Sequence, residues 1–240
     1  MKRVCILTGA SGKLGTAFCK QHANKYQIAA IYHRRLPSAV TQFQHLVDPL
    51  GKAPLKENEH PVFAIKADLR CDTELERIVE LTLARFDRID LVIHAAVQTV
   101  TGPILRNNAL LDSAERQLHM NILVPLRLAS IIAREFWQHE EAANREANRN
   151  WINVSSTSAT NVYRGSGQSV YSASKAAMNM LTQHMADEFL SIGIRVNALA
   201  PNSFPRIVST AGVVEGLRQL DTGTMTGTIL VVDANQSRQP

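Results

Sequence analysis

VCILTGASGKLG, residues 4–15, runs from an apolar stretch into a glycine-rich turn and on into a helical pattern. Val4–Leu7 is short, apolar and partly β-branched, which predicts a buried strand. The turn TGASGKLG, Thr8–Gly15, leads into a predicted helix through about Ala23. Glycines at 9, 12 and 15 permit a tight turn and a close backbone approach to a ligand. Strand, turn and helix together form a place where a helix N-terminus receives a phosphate. The spacing is G-x-x-G-x-x-G rather than the G-x-G-x-x-G dinucleotide fingerprint. Position between strand and helix therefore carries the nucleotide-site reading, with Gly9, Ser11, Gly12, Lys13, Leu14 and Gly15 as candidates.

The next strand, Gln27–Tyr32, ends in His33, Arg34 and Arg35. In a dinucleotide fold an acid at this place holds the ribose 2′-hydroxyl, whereas an arginine accommodates a 2′-phosphate. No acid is present, so NADP(H) is the expected cofactor, and Lys13 is expected to add charge at the same phosphate. Residues 38–50 read as a helix and 51–61 as a polar surface loop. Val62–Ala67 is a third strand ending in Asp68 and Leu69, and Asp72 is read as the cap of a helix with Leu75, Ile78, Val79, Leu83 and Phe86 at helical spacing. Ile89–Ala95 is a fourth strand ending HAAV; His94 reads as a satisfied buried histidine without a catalytic role.

Asp112 to about Trp137 predicts a long helix carrying Asn121, kinked or broken at Pro125. The polar stretch 138–150 is a helix extension or an exposed loop. Trp151–Val154 delivers Ser155, Ser156, Thr157 and Ser158, a helix runs from YSASK to about Leu190, and Ile194–Leu199 leads to Pro201 and Asn202. A short helix, Val213–Leu220, and a strand, Thr228–Val232, follow. Alternating strands and helices predict one α/β domain over 1–240: a doubly wound, Rossmann-like parallel sheet of about seven strands with helices on both faces.

In YSASK, Tyr171 and Lys175 lie one helical turn apart on one face. A nearby ammonium favours the phenolate and lowers the tyrosine pKa, enabling proton exchange with a carbonyl or alcohol oxygen.

Composition narrows the setting. With 45% hydrophobic residues in 240, the chain has a substantial core and is not disordered. The net charge of +5 is scattered, without a nucleic-acid-binding arm, and is compatible with an anionic ligand. Cys5, Cys19 and Cys71 have no metal-ligand spacing and read as reduced thiols of a cytoplasmic chain; no metal site is expected. The opening apolar run is too short for a signal peptide, and no later stretch approaches a membrane span.

Taken in order, these residues resemble the short-chain dehydrogenase/reductase family over nearly the whole chain. TGASGKLG resembles its cofactor turn, and IRVNALAP, Ile194–Pro201, the segment leading to its nicotinamide site. The resemblance implies that Asp68, with Leu69, lies against the adenine, that Ala95, Ala96, Pro201 and Asn202 line the cofactor site, and that Asn121, a serine, Tyr171 and Lys175 form the catalytic tetrad. In it Asn121 holds a relay water, and Lys175 also binds the nicotinamide ribose. Strand register favours Ser156 as the serine; the family's common thirteen-residue interval to the tyrosine favours Ser158. Ser156 is preferred, because strand ends place side chains more rigidly than loops.

Departures accompany the match. The glycine spacing and HAA at 94–96 resemble the family's extended branch, Asn202 replaces the usual glycine, a carboxamide-holding threonine has no clear equivalent, and the tail reads VDAN. YHRR and the turn lysine resemble the phosphate site of pteridine reductases. The expected activity is NADPH-dependent reduction of a small-molecule or carrier-bound carbonyl compound. The alternatives are an NADP-binding regulatory or scaffold protein and an extended-branch-like sugar-nucleotide epimerase or dehydratase. Between Asn202 and Gly227 only one short helix fits, which predicts an open cleft. Relatives pair the YSASK helix in dimers and tetramers, so a homodimer or homotetramer is expected; the Met178, Met180, Leu181 and Met185 side is core or interface.

Overall fold

A computed structural model describes residues 2–39, 42–43, 61–106 and 108–234. Its centre is β1, Arg3–Thr8, whose apolar residues alternate between two faces. Val4 and Ile6 enter one core, while Cys5 and Leu7 enter the other. A strand buried on both faces is what a parallel sheet sandwiched between helices requires.

The elements follow as α1 (Lys13–His22), β2 (Tyr26–Tyr32), β3 (Gln42–Phe43), β4 (Val62–Lys66), α2 (Asp72–Phe86) and β5 (Leu91–His94). Beyond them come α3 (Asn108–Leu118), α4 (Val124–Ile132), α5 (Glu141–Glu146), β6 (Asn150–Val154), α6 (Ser169–Leu190), β7 (Arg195–Pro201), α7 (Thr210–Thr222) and β8 (Ile229–Val232). All pairings are parallel, in the order β3-β4-β2-β1-β5-β6-β7-β8. This is the expected doubly wound sheet, with seven longer strands and a two-residue edge strand, β3.

The chain reverses direction across the sheet between β1 and β5, the place where such folds open a crevice. Register sets the carboxyl ends level: Thr8 pairs with Ile31 and His94, His94 with Asn153, Val154 with Leu199, and Pro201 with Val232. One core fills the face under α2, α4 and α6, around Ile78, Leu128, Trp137, Trp151 and Met185. The other lies under α1 and α7, around Phe18, Val213 and Leu217. Each such large side chain taken from water contributes about 1.5–3 kcal/mol.

Several expected elements are corrected. The helix expected over 38–50 contains the strand Gln42–Phe43; its remaining positions from 40 on, and the loop at 51–60, lie outside the described residues. Cys71, not Asp72, is the N-cap of α2, and no side chain caps that helix; Asp72 stands in its first turn and pairs with Arg127 Nη1 at 2.8 Å. The long helix begins at Asn108 and is interrupted by wide π turns at His119–Leu123 and Ala133–Trp137. Pro125 explains the first: it has no N–H for the Asn121 carbonyl, so the α-helical bond is impossible there and the turn widens. The stretch after Trp137 includes a helix, α5. Met178 and Met185 are core, whereas Met180 is 57% exposed.

Candidate functional site

Two adjoining cavities open along the level carboxyl ends and share Gly9, Gly12, Ala95 and Val97. Gly9 has φ +70°, and a Cβ there would stand 2.8 Å from the backbone of Ala95 and Ala96. Thr8 locks this join. Its Oγ1 accepts the N–H groups of Ala95 and Ala96, both at 3.1 Å, and lies 3.1 Å from His94 Nδ1. The hydroxyl proton therefore goes to Nδ1. Burial, and then the charge of Lys175, hold the His94 pKa down at about 3. A neutral, enclosed histidine agrees with the structural role expected from sequence.

The first cavity, of about 810 Å³, brings the glycine turn together with Ser156, Tyr171, Lys175, Pro201 and Asn202. Helix α6 delivers Tyr171 and Lys175 from successive turns, as their spacing predicts. The electrostatics differ from expectation. Lys175 is 2% exposed, and its Nζ donates to the Val154 carbonyl at 2.7 Å. Burial lowers its pKa to about 7. The Tyr171 pKa is raised, not lowered: burial is the largest cause, opposed by a hydrogen bond with Ser156. The ammonium lies 5.9 Å from the phenol ring centre and is engaged by the backbone of β6 instead of the hydroxyl.

The two candidate serines separate. Ser156 Oγ accepts the Ser158 N–H at 3.1 Å and lines the cavity with Tyr171, whose pKa its hydroxyl pulls down against burial. The Ser158 hydroxyl donates to Gln168 Oε1 at 3.1 Å. Asn121 is fully buried in the π turn. Its carboxamide exchanges two 3.0 Å bonds with the backbone of Gln98 and donates to Ser174 Oγ at 2.9 Å. Both N–H groups of that amide are therefore committed to tying the segment after β5 to α6. Asn202 is held at β8: its Nδ2 lies 3.2 Å from both carboxylate oxygens of Asp233, and its Oδ1 accepts the Ser203 N–H at 2.7 Å.

The second cavity, of about 830 Å³, gathers His33, Arg34, Arg35, Asp68, Leu69 and Arg70. Arg70 grips Asp68 through Nε at 3.0 Å and Nη2 at 2.6 Å, which chiefly lowers the Asp68 pKa to about 2. Arg35 Nη2 donates to the Ser11 carbonyl at 2.9 Å, fastening the end of β2 to the glycine turn. Arg34 makes no ion pair among the described residues. Lys13 is placed differently from expectation: it starts α1 and lines the cavity of Tyr171, not that of Arg34 and Arg35.

A dinucleotide fits these residues. The first turn of α1 has no side-chain cap and no acidic residue, so its N–H groups are open to an anion. Arginines lie at the far end of the groove, where a 2′-phosphate belongs.

Sequence reading missed four arginines, the first being Arg70 beside Asp68. Arg116 lines the second cavity with Met120, one turn later on the same helical face, so spacing from Asn121 held a usable signal. Arg164 and Arg206 line the first cavity from loops, where periodicity gives no signal of reach. The segment after Asn202 forms no helical lid, and its Ser203, Phe204, Arg206 and Ile207 line the first cavity. Residues 202–209 contain no helix, and α7 buries Val213, Val214, Leu217 and Leu220 against the sheet instead of covering Tyr171.

A family model for short chain dehydrogenase matches residues 3–211. The uncharacterized oxidoreductase YuxG of Bacillus subtilis is 24% identical over 84% of this chain, which spans only 27% of that protein. The 3-hydroxyacyl-CoA dehydrogenase type-2 of Bos taurus is 24% identical over 84% of this chain and 73% of its own length. A short chain dehydrogenase from Leptospira borgpetersenii, solved with bound NAD+, superposes with a TM-score of 0.78 at 18% identity, covering 98% of this chain and 92% of that one. Among the described residues, no helix is long and apolar enough to cross a membrane.

Proposed function

The chain belongs to the short-chain dehydrogenase family, and from that premise we propose that it is an NADPH-dependent reductase of carbonyl compounds. The observation that carries the reading is that Ser156, Tyr171 and buried Lys175 line one cavity with the glycine turn.

The glycine turn, the start of α1 and Arg34 would hold NADPH, which would supply the hydride, two electrons with one proton, for the carbonyl carbon. Tyr171 gives its phenolic proton to the oxygen as the C=O π bond breaks, so the products are an alcohol and oxidised cofactor. The raised tyrosine pKa suits this direction, because the phenol stays protonated at neutral pH. Ser156 donates to the same oxygen and stabilises charge as it develops. Lys175, its Nζ held by the Val154 carbonyl and 5.9 Å from the Tyr171 ring centre, places a charge that favours the tyrosinate left by the transfer. NADP(H), rather than the NAD+ held by the Leptospira relative, is argued from Arg34 and from the lack of an acid at the end of β2.

The open rim at 202–209 suits a bulky or carrier-bound substrate, a class that the name of the bovine relative also contains. A second reading, a cofactor-binding regulatory protein, draws support from Asn202, whose side chain is held by Asp233.

Fluorescence titration with NADPH and NADH, on the protein and on Arg34→Ala, tests the cofactor. Tight NADPH binding should fall to the NADH level in the variant; equal binding of both cofactors to the unaltered protein refutes the NADP assignment. Tyr171→Phe should keep NADPH affinity and lose turnover by about 100-fold or more. Full activity in that variant ends the mechanism.

A further inference from the structure

The cleft holds more positive charge than the cofactor needs. The cofactor diphosphate is matched by Lys13 and the uncapped start of α1, and the 2′-phosphate by Arg34 and Arg35. Arg70 is paired with Asp68 and Arg116 lines the second cavity, so Arg164 and Arg206 remain in the first. They come from loops that follow neighbouring strands, β6 and β7, and both line the cavity of Ser156 and Tyr171. Both are exposed, and among the described residues neither makes an ion pair. No Asp or Glu lines that cavity, so no carboxylate there offsets them.

Each arginine rises from an ordered turn. In one loop the Tyr163 hydroxyl meets Thr157 Oγ1 at 2.8 Å, and the Ser166 N–H reaches the Tyr163 carbonyl at 3.2 Å. In the other, the N–H groups of Ile207 and Val208 return to the Ser203 carbonyl at 2.7 and 3.2 Å. Two guanidinium groups on fixed turns beside a proton-donating tyrosine form a grip for carboxylate or phosphate oxygens.

We propose that the carbonyl substrate carries an anionic group, a carboxylate or a phosphate, held by Arg164 and Arg206 at the mouth of the cleft while its carbonyl meets Ser156 and Tyr171. This rests on the carbonyl-reductase reading of the same cavity. It makes the two arginines specificity determinants and leaves proton and hydride transfer to the groups already named.

The test uses para-carboxybenzaldehyde, para-formylphenyl phosphate and the neutral methyl ester of the first. Binding is measured on protein saturated with NADP+, where no reduction occurs, and turnover is measured separately with NADPH. The anionic probes should bind roughly tenfold tighter than the ester, as one charge-assisted contact allows. Arg164→Gln and Arg206→Gln should each lose part of that preference, and the double variant all of it, with NADP+ affinity unchanged. Tighter binding of one anionic probe than the other identifies carboxylate or phosphate as the group held. An ester that binds as well as the acids, a preference that survives the double variant, or a loss that falls on NADP+ overturns the proposal. An arginine-dependent preference without NADPH oxidation supports the anion grip and overturns the reductase reading instead.

Discussion

Lys175 shows how far a motif can be right in position and different in physics. Its spacing from Tyr171 was legible, because helical periodicity sets which side chains share a face. The enclosure by β6 was not legible, because burial is a tertiary property; it lowers the Lys175 pKa and inverts the expected direction of the Tyr171 shift. A stability prediction follows. Between pH 7 and about 10.4 the unfolded chain holds a lysine proton that the folded chain releases. Native stability contributed by this group therefore rises with pH across that window. Lys175→Met removes the titration, so in urea melts of the cofactor-free protein the difference should move toward the wild type by about 1 kcal/mol per pH unit. A pH-independent difference would contradict the burial. Ser156 was favoured from strand register, and both it and Ser158 line the cavity of Tyr171; the Gln168 carboxamide that holds the Ser158 hydroxyl left no pattern to read.

At the scale of elements, strands were easier to read than interruptions. Apolar runs located β1, β2 and β4–β8 because a doubly buried strand has few other compositions. The π turn at His119–Leu123 was visible only as Pro125, since a proline announces a missing donor without saying how the backbone adapts. That adaptation places Asn121 inside, where it joins Gln98 to Ser174. Pro125→Ala restores the N–H and allows the turn to tighten, which would rotate the carboxamide away from both partners. Turnover should drop about tenfold with the melting temperature nearly unchanged, a split read by kinetics and calorimetry together. Equal turnover would mean that the wide turn does not depend on the proline. At the edge of the sheet, β3 lies within a stretch expected to be helical, a case of strand pairing overriding local preference.

Across the whole molecule the two ends of the sheet divide their duties. The carboxyl ends carry the cavities, while the amino ends carry a buried polar knot. Arg3 Nη2 meets Asp221 Oδ1 at 2.9 Å and the Tyr26 hydroxyl donates to Asp221 Oδ2 at 2.7 Å, with the carboxylate side chain 1% exposed. None of this was readable from sequence, because its members are separated by up to 218 positions. Asp221→Ala leaves the Tyr26 phenol without its acceptor and takes the carboxylate from Arg3, which keeps the carbonyls of Asp90 and Asn148. It should cost about 1–3 kcal/mol in denaturant melts. NADPH affinity should hold below the new midpoint; a parallel loss of affinity would show that the two ends are coupled. Doubly wound architecture itself was legible from the alternation of strand and helix, and its switch point between β1 and β5 followed once the strand order was known.

One contact across the cleft rim sets how the site opens. Gly167, at φ +61°, leaves room for no Cβ, which would stand 2.7 Å from the backbone of Gly102; the Gly102 N–H reaches the Gly167 carbonyl at 2.8 Å. The segment after β5 and the loop after β6 are thereby buttoned together beside the first cavity, which their neighbours Thr101, Ser166 and Gln168 line. They are expected to open as one cooperative unit, so the Gly102 amide should exchange with deuterium far more slowly than its loop neighbours. A substrate would then enter from the other side, past residues 202–209, and the traffic of the site would run through a single door.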